Sequence, residues 1–182
     1  MDLADVLARR MIGYFGADAK RIHHALKVAE FARLIASAED LPADGRDVLL
    51  AAAYLHDIGI HEAERRFGSA AGKLQEKVGP EVAAGLLEGL GLPDAFVERV
   101  LFLVGHHHTY SAIDGPDFRI LVEADFLVNI HEDGMDAAEV QSVGSRLFRT
   151  ATGRAFLSRI HGFNPDVVPE EAGPAAGPGP SP

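Results

Sequence analysis

One apolar stretch restricts this chain more than any other: Leu49-Leu50-Ala51-Ala52-Ala53-Tyr54-Leu55-His56-Asp57-Ile58-Gly59-Ile60. It reads as a buried helix of small and apolar residues that ends in two metal-capable side chains, with a glycine stopping it two residues later. Neighbouring helical residues point about 100° apart, so His56 and Asp57 reach one ion only if that ion sits near the helix end. Metal ligation explains why two polar groups close an otherwise apolar helix.

The chain has no cysteine. A metal here must therefore use histidine, carboxylate and water, and thiolate sites and disulfides are excluded. A net charge of −10 argues against nonspecific affinity for nucleic acid or an anionic lipid surface. It leaves room for an anionic substrate, because a bound cation reverses the local sign. Residues Met1–Leu7 are acidic and lack the basic and apolar regions of a signal peptide. No run approaches the roughly 18 apolar residues of a membrane span, and a cytoplasmic protein without membrane contact is expected.

Helical periodicity dominates, with no alternating strand pattern. The pattern predicts helices over 2–14, from the Asp18 cap to about 37, and from the turn at 41–44 up to Asp57. Residues 59–79 read as irregular, containing a short helix or two or a lid. Pro80 suits the first turn of a helix reaching about Gly89. Further helices are expected from Leu92 to the histidines at 106–108, over 118–131, and as one element over 136–161. One domain covers residues 1–165, and the Pro/Gly-rich segment 166–182 cannot bury a core and is expected to be a flexible tail.

Nine histidines are present, and their register separates them. His24 shares a stripe with Val28, Phe31 and Ile35 and faces the core, whereas His23 aligns with Lys27, Glu30 and Leu34 on a wet face. Asp125 is the sharper anomaly, because its helical neighbours are Phe118, Leu121, Val122 and Val128. A carboxylate in such a stripe is expensive unless paired or metal-bound. Asn129, one turn on, is placed to orient that carboxylate or a bound phosphate. His106-His107-His108 closes another apolar helix; His107 continues the stripe of Phe96, Val100, Leu103 and Val104 and points inward best. His106 is a further ligand candidate, and His108 a helix-end or substrate contact. His131 and His161 read as surface residues.

The order His24, then His56-Asp57, then Asp125, each in a helix, resembles the HD domain superfamily of metal-dependent phosphohydrolases. His24-Ala25-Leu26-Lys27-Val28-Ala29 is similar to its first motif, Leu55-His56-Asp57-Ile58-Gly59 to the second and Glu123-Ala124-Asp125 to the third. The resemblance spans roughly residues 18–132. It implies an all-α helical bundle with a metal site at its centre, held by His24, His56, Asp57 and Asp125. The ion would be manganese, cobalt, nickel, zinc, magnesium or iron, one or two per chain.

It also implies metal-activated water attacking a phosphomonoester or phosphodiester, a nucleotide among the candidates. Asp57 or His107 would handle protons. In binuclear relatives the aspartate bridges two metals, and additional histidines stand before a Pro-Glu sequence and as a pair ending a later helix. Here His106-His107 resembles the pair, but Gly79 stands before Pro80-Glu81, leaving Glu76 or Glu81 as substitutes. Ile60 and the lack of a Gly-Tyr-Pro motif exclude the cyclic-dinucleotide branch.

Lys73, set among glycines, is the preferred phosphate contact, ahead of Arg65 and Arg66, and His61 is a substrate-contact candidate. Gly68–Lys73 is one residue short of a phosphate-binding loop, and Leu74 replaces the required Ser or Thr. Two other readings stand beside hydrolysis: a binuclear-iron oxygenase on the same scaffold, and a metal- or nucleotide-binding regulator without turnover.

Overall fold

The computed structural model describes residues 2–167, and the expected tail from residue 168 onward lies outside them. Among the described residues there are nine α-helices and no strands. They are α1 (Leu3–Phe15), α2 (Ala19–Ala38), α3 (Ala43–Leu55), α4 (Ile60–Phe67), α5 (Gly72–Leu87), α6 (Asp94–Val104), α7 (Pro116–Glu132), α8 (Ala137–Leu147) and α9 (Ala151–His161). A short 3-10 turn, Tyr110–Ala112, lies between α6 and α7. No helix among the described residues is long and apolar enough to cross a membrane.

Local chemistry sets several boundaries. The Asp18 carboxylate accepts from Arg21 N at 3.2 Å and starts α2. Asp136 and Glu139 form a reciprocal capping box on α8. Helix α3 is the central strut, packed between α2, α1, α6 and α7. Its alanines allow that closeness, since Ala51, Ala52 and Ala53 are at most 1% exposed. Helix α7 is buried on nearly every face from Asp117 to Val128 and lies against α2 and α3. The apolar stripes of α2, α3, α6 and α7 thus converge on a shared interior, which also receives the polar residues those stripes carry.

Two segments differ from the sequence expectation. The segment after Gly59 contains the short helix α4, as expected, but also the first half of α5, so that Pro80 lies inside α5 rather than in its first turn. The proline gives up one backbone hydrogen bond, to the Glu76 carbonyl. Packing offsets that loss, because α5 crosses the start of α4 at van der Waals distance. A Cβ on Gly59 would meet Gln75 O and Gly79 Cα at 2.8 Å, and one on Gly79 would meet Val104 Cγ1 at 3.0 Å. The glycine pair is a crossing point and not a loop signal.

The second difference is at residues 148–150, where the single helix expected over 136–161 divides into α8 and α9. Glu123, fully buried on α7, accepts from Arg149 N at 2.6 Å, Thr150 N at 3.0 Å and the Thr150 hydroxyl. Thr150 Oγ1 in turn accepts from Gly153 N at 2.9 Å and caps α9. A carboxylate from another helix satisfies the amides that the break releases.

Because the crossing at Gly59 involves backbone on both sides, Gly59→Ala is expected to cost about 3 kcal/mol, at the upper end of ordinary overpacking. Urea denaturation should show the lowered midpoint with an unchanged slope; a midpoint equal to wild type would show that the crossing has room to spare.

Candidate metal centre

His56 is the residue that ends α3, and it keeps helical angles (φ −55°, ψ −43°). The chain then tightens: Ile58 N donates to Leu55 O at 3.0 Å and Ile60 N to Asp57 O at 3.1 Å. These i→i+3 bonds wind the turn more tightly than an α-helix and bring adjacent His56 and Asp57 toward one point. The histidine run after α6 is wound the same way, with His106 N donating to Leu103 O and Thr109 N to His106 O. Two helix C-termini therefore end at the cluster, directing the negative ends of their dipoles at it.

His24 from the second turn of α2 and Asp125 from the middle of α7 join the cluster. His24 Nε2 lies 3.2 Å from His56 Nε2, 3.2 Å from Asp125 Oδ1 and 3.6 Å from Asp57 Oδ2. His56 Nε2 lies 3.7 Å from Asp57 Oδ2 and 3.6 Å from Asp125 Oδ1. His24, His56 and Asp125 are at most 5% exposed. Donors about 2.1 Å from one ion stand about 3.0 Å apart at right angles and about 3.4 Å apart in a tetrahedron. These five separations fall at or just beyond those values, and ligand atoms of His24, His56 and Asp57 lie within 4.8 Å of one another, so this group could hold a divalent cation, with Asp125 Oδ1 beside both imidazoles.

Each ring's outer nitrogen is engaged, which turns Nε2 inward. His56 Nδ1 is 2.9 Å from Ala53 O, His107 Nδ1 is 2.8 Å from Val104 O, and His24 Nδ1 is 3.0 Å from Glu132 Oε2. Asn129 Nδ2 donates to Asp125 Oδ1 at 2.8 Å and holds that carboxylate in place.

Burial alone would lower the basicity of the imidazoles. The charge of Asp57 and the contacts with Asp125 outweigh it and raise His56 to about 9. His24 is likewise raised against burial, chiefly by its hydrogen bond to Asp125. Burial alone would push both carboxyls up; His56 and His107 hold Asp57, and His24 and His56 hold Asp125, well below the usual carboxylate range. A field that favours protons on these rings favours a cation between them.

A second grouping shares Asp57. The ligand atoms of Asp57, His107 and His108 lie within 4.8 Å of one another, with His107 Nε2 3.4 Å from Asp57 Oδ1. That contact lacks hydrogen-bond geometry, and the buried Nε2 atoms of both His107 and His108 are without a partner. Burial and the neighbouring His107 lower His108 to about 4, which keeps it neutral and able to ligate. The sequence stripe favours His106 as companion to His107, but the structure places His108 there. The His106 ring stacks on Phe102 with centroids 4.3 Å apart, and its Nδ1 meets Phe102 O. The cause is the tight turn after Val104, which rotates successive side chains further than a helix does.

The remaining candidates are otherwise engaged. Glu76 Oε1 accepts from His108 N at 3.0 Å and Thr109 Oγ1 at 2.7 Å, and Oε2 from Lys73 Nζ at 2.8 Å. It fixes the histidine turn and belongs to neither ligand group. Lys73 also donates to Thr109, so Glu76 already balances its charge. His61 Nε2 pairs with Asp18 Oδ2 at 2.9 Å, beside Tyr14 and Phe15. Arg65 and Arg66 are bound to Glu62, Arg66 reaches Glu81 as well, and His161 is hydrogen-bonded to Leu127 O. His131 is exposed.

Sequence reasoning missed Glu132 and passed over His108 as a ligand. Glu132 continues the α7 stripe of Asp125 and Asn129 at helical spacing, and that extension was the available signal.

With His56 raised to about 9, the cation-free site carries a proton at pH 7.5 that an incoming cation must displace. Manganese affinity is therefore expected to rise with pH up to about 9, with roughly one proton released on binding. Calorimetry in buffers of different ionisation enthalpy measures that release, and a buffer-independent heat at pH 7.5 would contradict it.

The geometry agrees with the comparisons. No curated protein matches the chain. A crystal structure at 1.45 Å resolution of a predicted HD superfamily hydrolase from an uncultured Thermotogales bacterium superposes with a TM-score of 0.62 at 27% identity, covering 88% of this chain and 85% of that chain. The HD domain family profile matches residues 21–146, which span both ligand groups. The chain belongs to the HD domain family.

Proposed function

We propose that this protein is a metal-dependent phosphohydrolase acting on a phosphomonoester or phosphodiester, with nucleotides the first substrates to test. The observation that carries the reading is the convergence of His24, His56, Asp57 and Asp125 from three helices, at separations suited to one cation. Family membership and the likeness to a predicted hydrolase support the same reading.

His24, His56, Asp57 and Asp125 would hold the ion. When bound, a divalent cation polarises a phosphoryl oxygen and lowers the pKa of a coordinated water. The chain's own groups supply the remainder. Asp57 stays ionised, directing Oδ2 at the two imidazoles and Oδ1 toward His107. His107 Nε2, buried and without a hydrogen-bond partner, is the site that can accept or return a proton beside the reacting phosphate. Asn129 keeps the Asp125 carboxylate from turning. Lys73 is bound to Glu76 and would reach a substrate phosphate only by exchanging partners.

A second reading, a binuclear-iron oxygenase, is favoured by one observation, the Asp57–His107–His108 group beside the first. Two irons per chain with oxygen uptake would identify it.

Asp57→Ala and Asp125→Asn are each expected to lower manganese- or cobalt-dependent hydrolysis of a nucleotide panel by at least about a thousandfold, on the scale of losing an essential catalytic group. Circular dichroism should remain helical. Retained turnover in both variants would sink the assignment.

A further inference from the structure

His24 differs from the other histidines of the cluster in what holds it. His56 and His107 stand just beyond helix C-termini, where carbonyls lack intrahelical partners, and each ring donates its outer N–H to such a carbonyl, of Ala53 or Val104. His24 lies inside α2, between Ala19 and Ala38. Carbonyls there are spent on the helix, so its outer nitrogen needs a partner from another element.

Glu132, the last residue of α7, provides it, with Oε2 3.0 Å from His24 Nδ1. The other oxygen of the same carboxylate accepts from Lys27 Nζ, one turn beyond His24 on α2. Glu132 is therefore held between two residues of one helix, its side chain only 16% exposed, while Lys27 reaches solvent at 47%.

We infer that Glu132 is the positioning residue of the metal centre, fixing the His24 ring with Nδ1 protonated and Nε2 turned toward Asp57 and Asp125, and that Lys27 pins Glu132 in place. A carboxylate on the outer nitrogen of a metal-binding imidazole selects the tautomer and strengthens the donor, and its loss typically weakens metal binding 10–100-fold. On α7, Asp125, Asn129 and Glu132 occupy one stripe at spacings of four and three. A single helix face thus carries a ligand, the group that steadies it and the group that orients a ligand on α2. The inference rests on the metal-centre reading above.

The test is cobalt(II) binding to the full chain, read by chelator competition and by the visible spectrum of the bound ion, independently of turnover. Glu132→Ala is expected to weaken cobalt binding 10–100-fold and to alter the spectrum. Glu132→Gln retains an acceptor for the His24 N–H and should recover most of that loss. Lys27→Met should weaken binding by a smaller factor than Glu132→Ala. Wild-type affinity in folded Glu132→Ala would overturn the inference while leaving the metal centre intact. So would a Glu132→Gln variant as weak as the alanine, since the hydrogen bond would then not be the agent. Failure of the wild-type chain to bind cobalt at all would overturn both readings.

Discussion

Two carboxylates buried against two imidazoles set the terms for the rest of this bundle. Asp57 and Asp125 are removed from most of the solvent, and neither has an arginine or lysine among its bonded partners. Burying such charges uncompensated is prohibitive, so something positive must stand among them, either protons on His24 and His56 or a metal cation. The architecture serves that requirement. Helices α3 and α6 end at the cluster, α2 meets it in its second turn and α7 at mid-length, and small residues on α3 let the four approach closely.

Orientation is achieved by arranging the outer face of each ligand. Helix ends have carbonyls to spare, and His56 and His107 use them; a mid-helix histidine does not, and Glu132 stands in. The same logic reaches the periphery. Glu76 steadies the turn bearing His107 and His108, and Glu123 holds the α8–α9 junction through two amides and a hydroxyl. Among the described residues, these buried or half-buried carboxylates are fixed by partners from distant parts of the chain.

That distance separates what the sequence could disclose from what it could not. His24, His56, Asp57, His107 and Asp125 were legible because each breaks an apolar stripe, and a stripe is a local property. The crossing of Gly59 and Gly79 was not, because a glycine that admits another backbone looks the same in sequence as one that ends a helix. A side chain at position 79 would meet Val104 and the Gly59 backbone. The division of the last helix was hidden for a similar reason, since Glu123 is remote in sequence from Thr150. Glu132 reads locally as an ordinary charge at a helix end, and only its approach to α2 gives it a role. His108 stands beside Asp57 and His107 because the turn after Val104 is tighter than an α-helix, which no local stripe reveals.

His24, His56, Asp57 and Asp125 are proposed to hold one divalent cation. Anomalous diffraction from crystals of the full chain grown with manganese, collected on both sides of the manganese edge, tests it directly. A manganese peak is expected among His24 Nε2, His56 Nε2, Asp57 Oδ2 and Asp125 Oδ1. A manganese peak elsewhere, or none among those four atoms in a folded bundle, would contradict it.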